Sequence, residues 1–270
     1  MDRFSPRSEL RVGVHIKAFS PDDPMIVQHF REHGWVLTDD LNLSEVLEVQ
    51  GWVDEIAATF GEPGLILHHR EMTDFGPKLA RSENFVPVHA GLRDLLTRRL
   101  ATTASTLLGE PAVLYKEKIN YKLVGGAGFS PHQDAPAYPF IDTHVSCMVA
   151  VDDATPENGC LEVASSRHQH LLETDDRGCI VRSIVDELTW QHAPLRAGQT
   201  LWFHSLTPHR SGANRSDRDR RALYPTYNAL SEGDLREAYY AEKRERFAAA
   251  ESGDRVVLSL ISDFEGRPVD

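Results

Sequence analysis

From Pro111 onward the chain alternates short apolar runs with turn clusters, and this limits its possible folds more than any other feature. The runs are VLYKEKINYKL, HVSCMVAV, CLEVA, TLWFH and LYPTYNAL, and they are separated by GGAG, DDATPENG, RAG and SGANRSDRD. Runs of this length, rich in β-branched and aromatic residues and bounded by Gly, Asn and Asp, are strand signals. Several such strands at loop-length spacing fit an antiparallel sandwich or barrel. The expectation is a mainly β protein with helices.

The segment before Pro111 has helical periodicity. DDPMIVQHFREHGWVL reads as a short helix ended by Gly34 and followed by a strand through Trp35, Val36 and Leu37, with Phe30 as its core contact. Ser44 is a candidate N-cap for the next helix. In that helix Val49, Trp52, Val53, Ile56 and Phe60 form one apolar stripe. A third helix starts near Gly91, with Leu92, Leu95, Leu96, Leu100, Ala104, Leu107 and Leu108 on its inner face, and Gly109 with Pro111 stops it. Between the last two helices, HHREMTDFGPKLARSENF has no clear period. EGDLREAYYAEKRERFAAA reads as a C-terminal helix. Residues 1–20 are expected to be a flexible arm and residues 21–270 a single domain, with the N-terminal helices laid against the β core.

Apolar residues make up 41% of the chain, enough for a sizeable core. A formal net charge of −12 argues against a nucleic-acid partner. Cys147, Cys160 and Cys179 form no CxxC pair, so buried reduced thiols are expected. No apolar run reaches membrane-spanning length, and the N-terminus lacks a hydrophobic signal region. The expectation is a cytoplasmic protein with a small-molecule substrate.

The sharpest chemical signal is PHQDAPAYPF. His132 and Asp134 lie two apart, so a strand would point an imidazole and a carboxylate the same way. Downstream, LWFHSLTPHRSGANRS offers His204 and His209. Either could complete a set of two His and one carboxylate, which leaves coordination positions open and suits Fe(II). Ser211 follows His209 at +2 and Arg220 at +11. A guanidinium there could hold the far carboxylate of a dicarboxylic cosubstrate, with Arg221 the next candidate. A zinc hydrolase using the same ligands would leave that arginine without a role.

These motifs together resemble the phytanoyl-CoA dioxygenase family, which includes the ectoine hydroxylases. The resemblance runs from about residue 24 to 230 and covers FREHGWVL, GFSPHQD, NGCLEVASSRH and LWFHSLTPHRSGANRS with its following Arg. It implies a double-stranded β-helix (a jelly-roll, cupin-like core) with iron at its mouth. It implies Fe(II), 2-oxoglutarate as cosubstrate and O2. It carries the metal ligands over to His132, Asp134 and His209, and the 2-oxoglutarate contacts to Ser211, Arg220 and Asn120. Related halogenases have a small residue where Asp134 stands, so hydroxylation or another oxidation is implied, not halogenation.

The remaining polar residues carry weaker expectations. His204, His144 and His168 read as hydrogen-bonded structural histidines. His68 and His69 are surface residues or part of a substrate lid. In YKEKINYK, strand alternation puts Lys116, Lys118 and Asn120 on one face and Tyr115, Ile119 and Tyr121 on the other. Because that strand leads into the iron box, its polar face is a candidate cavity wall. Lys118, Tyr138, Arg81 and Asn84 are the candidate substrate contacts. YKEKINYKL and ARSENFVP look most like the branch that includes 2-aminoethylphosphonate dioxygenases and oxygenases of antibiotic biosynthesis. The first expectation is oxidation of a C–H bond in secondary-metabolite tailoring, and the alternative is phosphonate catabolism.

Overall fold

The computed structural model describes residues 16–62, 64–73, 76–138, 140–249 and the pair 267–268. In chain order, α1 (Met25–His33) turns at Gly34 into β1 (Trp35–Asp39), and α2 (Leu43–Ala58) follows. A hairpin of β2 (Leu67–Thr73) and β3 (Gly76–Glu83) comes next. Then α3 (Ala90–Asp94) passes through a π-helical turn, Leu95–Arg99, into α4 (Leu100–Leu108). The strands β4 (Ala112–Lys116), β5 (Lys118–Lys122), β6 (Phe129–His132), β7 (His144–Ala150) and β8 (Leu161–Ala164) follow. A short turn of helix, α5 (Arg182–Val185), precedes β9 (Trp190–Ala193), β10 (Gln199–His204), β11 (His209–Ser211), β12 (Arg220–Leu223) and β13 (Thr226–Ala229). The chain then forms α6 (Arg236–Ala249), and β14 (Arg267–Pro268) pairs with β2.

Two antiparallel sheets result. The larger runs β1-β10-β7-β12-β5-β3-β2-β14, with β13 bridging β4 and β7. The smaller runs β6-β11-β8-β9. This is the jelly-roll architecture expected, with the sheets not closed into a barrel. Glu117 breaks the strand expected over YKEKINYK into β4 and β5, and Tyr224-Pro225 breaks the strand opposite into β12 and β13. Tyr224 and Lys118 exchange backbone bonds across the double break (2.7 and 3.3 Å).

Alternation along the central strands builds two cores. On β7 and β10, Val145, Cys147, Val149 and Trp202 face the helices, while Met148, Ala150, Leu201 and Phe203 face the smaller sheet. Burial on both faces explains why these strands read as continuous apolar runs. The helix-side core takes Phe30, Val49, Val53, Ile56, Leu92, Leu96, Leu100 and Ala104, as the stripes predicted, whereas Phe60 falls beyond the end of α2 and outside that core.

Two local expectations are corrected. The cap of α2 is Asn42, not Ser44: Asn42 Oδ1 accepts from the Ser44 and Glu45 amides (3.0 and 3.1 Å), and Glu45 accepts from the Asn42 amide (2.8 Å). That reciprocal box satisfies two helix-end donors at once, which Ser44 could not do. The stretch without a period is the β2–β3 hairpin. His68 and His69 are buried there rather than exposed, and His68 bonds Ser82 and Thr59 (both 2.9 Å). Of the expected arm, residues 1–15 lie outside the described residues, while Phe19 is buried and bridges Thr38. All three cysteines are buried and free. No helix among the described residues is long and apolar enough to cross a membrane.

Candidate active site

His132 ends β6, and its cross-strand partner on β11 is His209. Gly128 permits that close pairing: a Cβ on Gly128 would lie 2.0 Å from the Ser211 carbonyl oxygen. Only a residue without a side chain lets the two backbones approach so closely. Asp134 lies just beyond β6 in a helical conformation, opening a 3-10 turn, so the HxD pair converges through a strand end and a turn rather than along one strand. Gln133 between them is buried and pins the box, donating to the His170 and Leu206 carbonyls (3.0 and 2.6 Å) and accepting from the Leu172 amide (2.7 Å).

Ligand atoms of His132, Asp134 and His209 all lie within 4.8 Å of one another. Both imidazole Nε2 atoms stand 3.7 Å from Asp134 Oδ1, too far for a hydrogen bond and well placed to share an ion. His132 Nδ1 donates to the Ser130 carbonyl (2.7 Å) and His209 Nδ1 to the Thr207 carbonyl (2.9 Å). Those bonds fix the tautomer that leaves each Nε2 lone pair free. The second Asp134 oxygen accepts from Ser146 (3.1 Å), which is itself held by Thr226 (3.0 Å). Burial, reinforced by His209, lowers the His132 pKa to about 4, so the ring is neutral and able to ligate near neutral pH. Burial opposes charge on Asp134, but His209, His132 and Lys116 outweigh it and hold the carboxyl well below its ordinary value.

The rival His204 is excluded by strand parity. Phe203 packs on His209 at 4.7 Å, whereas His204 points to the other side, near Phe30 and His168, and accepts from the Leu206 amide.

A second group lies deeper between the sheets. Arg220 on β12 stands directly across from Lys122 on β5, and Ala222 from Asn120, so all four side chains share one face with Lys118. Arg220 is 3% exposed; its Nη2 donates to the Gly159 carbonyl (3.3 Å), while Nε and Nη1 are buried without a partner. Lys122 donates to Ser211 Oγ (3.1 Å) and to the Gly159 and Gly212 carbonyls. Burial, with Arg220 beside it, pushes Lys122 down to about 7. Two buried cations with no carboxylate partner among the described residues fit a bound carboxylate well. Arg221, the alternative anchor, instead pairs with Asp152 and Asp54. Lys122 escaped the sequence reading; its only signal was its place two residues after Asn120 on the cavity face.

The empty space at the triad amounts to about 480 Å³ with adjoining open solvent included. Lys116, Lys118, Asn120, Ser146 and Thr226 line it together with His132, Asp134 and His209, and Phe129, Leu161, Phe203 and Tyr224 supply apolar wall. Lys118 and Asn120 are therefore where the sequence placed them. Ser211 and Arg220 are not among the cavity's lining residues. Three expected substrate contacts do not border the cavity. Arg81 is buried and donates through Nε to Asn120 Oδ1 (3.1 Å), so it positions that side chain. Tyr138 lies under the Lys116 ammonium, 4.3 Å from ring centre to nitrogen. Asn84 has φ 61°, a conformation that favours Asn, and it bonds the Leu65 carbonyl and Arg236.

The comparisons with known proteins agree with this geometry. The profile of the phytanoyl-CoA dioxygenase (PhyH) family matches residues 30–222. A methylphosphonate hydroxylase of Gimesia maris is 46% identical over 247 residues, covering 90% of this chain and 95% of the relative. A 2-aminoethylphosphonate dioxygenase from an uncultured bacterium, HF130_AEPn_1, is 39% identical over 225 residues, covering 81% and 86%. The crystal structure of EctD from S. alaskensis with 2-oxoglutarate and 5-hydroxyectoine superposes with a TM-score of 0.69 at 21% identity, covering 81% of each chain. The protein is an Fe(II)/2-oxoglutarate-dependent dioxygenase, and the chain belongs to the phytanoyl-CoA dioxygenase family.

Proposed function

We propose that this enzyme hydroxylates a C–H bond of a small organophosphonate. One observation carries the reading: the cavity that holds the triad is walled by Lys116 and Lys118, and neither forms an ion pair with a carboxylate among the described residues. Burial lowers Lys116 to about 8 and holds Lys118 well below its ordinary value, so an anionic substrate that restores their charge is favoured there. The whole-length similarity to enzymes named for methylphosphonate and 2-aminoethylphosphonate supports the same chemistry. The tailoring expectation, put first on the sequence, has no comparable support.

In this reading His132, Asp134 and His209 hold the iron, which when bound activates O2. Arg220, Lys122 and Ser211 hold the far carboxylate of 2-oxoglutarate, with Asn120 alongside. The overall change balances: one oxygen atom of O2 enters the substrate C–H bond, the other enters succinate, and CO2 is released. Side chains supply orientation and exclude water. Phe129, Leu161 and Phe203 keep the site apolar around the reacting carbon.

The test is succinate release by the iron-loaded protein with methylphosphonate as substrate. Stimulated release together with a hydroxylated phosphonate is expected. Release that no phosphonate stimulates would end the reading.

A further inference from the structure

We infer that Lys116 and Lys118 form a clamp for the phosphonate head group, and that the cavity selects short alkylphosphonates over aminoalkyl ones. The inference rests on the organophosphonate reading above and narrows its substrate class.

Two anion sites are laid out along one strand face. Lys118, Asn120 and Lys122 point the same way from β5. At the rise of an extended strand, Lys118 and Lys122 are separated by about 13 Å. Lys122 and Arg220 stand at the end where the partnerless guanidinium nitrogens wait. Lys118 and Lys116 stand at the other end, in the cavity wall with Asp134. A dicarboxylate at one end and a phosphonate at the other would both reach the triad from opposite sides.

Aromatic faces hold the clamp in place. Lys116 Nζ lies 4.3 Å from the centre of the Tyr138 ring, and Lys118 Nζ lies 5.3 Å from that of Tyr224. Cation–π contact fixes an ammonium without neutralising it, so its donors stay available to phosphonate oxygens.

The same wall offers an amine no carboxylate outside the triad. Asp134 is the only carboxylate among the described lining residues, and it belongs to the triad. The acids beyond the wall are committed. Glu83 pairs with Lys243, and Glu117 pairs with Arg236 and accepts from the Val86 amide. The Asn120 carbonyl oxygen already accepts from Arg81. Ser146 and Thr226 bond each other, and Ser146 serves Asp134. A substrate ammonium would therefore be buried beside two lysines with no acid to meet it.

The experiment is anaerobic calorimetry and turnover on protein loaded with iron and 2-oxoglutarate, using methylphosphonate, ethylphosphonate and 2-aminoethylphosphonate. The two alkylphosphonates are expected to bind and react with at least tenfold higher affinity and kcat/KM than the aminoethyl compound. Lys118→Met is expected to weaken methylphosphonate binding at least tenfold while 2-oxoglutarate affinity stays within twofold, and Lys116→Met serves as a second variant. Equal binding of 2-aminoethylphosphonate would overturn the selectivity and leave the phosphonate reading standing. Unchanged methylphosphonate affinity in both variants would overturn the clamp. If no phosphonate binds or reacts, the parent reading fails and this inference fails with it.

Discussion

His204 and His209 lie in the same short stretch of chain, and the parity of strand β10 separates the neighbour from the ligand. Alanine at His132, Asp134 or His209 is expected to abolish iron retention, measured by metal analysis, and succinate formation with it. His204→Ala should keep both; loss of iron there would overturn the ligand assignment. At the far end, Arg220→Ala should raise the KM for 2-oxoglutarate by about tenfold or more, the loss of a charge-assisted pair. An unchanged KM would place the anchor elsewhere. Lys122 adds a pH signature. Its folded pKa, about 7, lies below the ordinary lysine value, so between those values the unfolded chain binds the extra proton. Stability therefore rises with pH from about 7 towards 10, where the burial penalty on the charged form is relieved. Thermal unfolding should show a steeper rise over that window in the wild type than in Lys122→Met. Equal slopes would mean that Lys122 titrates normally.

At the scale of elements, the site depends on how closely β6 and β11 approach. Gly128→Ala would press a methyl group into the Ser211 carbonyl, so the strands must part. The expected cost is about 1–3 kcal/mol of stability, as for overpacking elsewhere. Iron affinity should fall as well, because His132 and His209 are paired on those same strands. A variant with normal iron affinity would show that the loop absorbs the strain without moving the ligands. The hairpin of β2 and β3 makes a different point. Its buried side chains among the described residues are His68, His69, Ala80, Arg81, Ser82 and Glu83, all but one of them polar, so hydrophobic alternation could not reveal it. Polar strands pair through the backbone as well as apolar ones do. Here burial is tolerated because each charge meets another, with Glu83 held by Lys243 from α6.

For the whole molecule, α6 fastens the wall of the cavity from behind. Arg236 bonds Glu117 (Nε to Oε2 3.0 Å, Nη2 to Oε1 2.6 Å), and Tyr240 donates to the Glu117 carbonyl (2.8 Å). Glu117 is fully buried at the break between β4 and β5, the strands that carry Lys116 and Lys118. Arg236→Ala should cost about 3–5 kcal/mol, since it leaves that carboxylate without its cation, and denaturant unfolding would measure it. A loss below about 1 kcal/mol would mean that Glu117 takes up a proton instead, its pKa already being raised by burial. The strand-rich C-terminal half, the apolar helix stripes, the HxD box with its distal His, and the arginine after it were all legible in the sequence. Each is a local pattern, written in spacing along one segment. Packing alone placed Lys122 opposite Arg220, put Asn84 in a turn, set Arg81 against Asn120, and brought to the triad two lysines that form no ion pair among the described residues. Those facts depend on which strands lie side by side and on which charges remain unmatched after packing, and both are settled between segments distant in sequence.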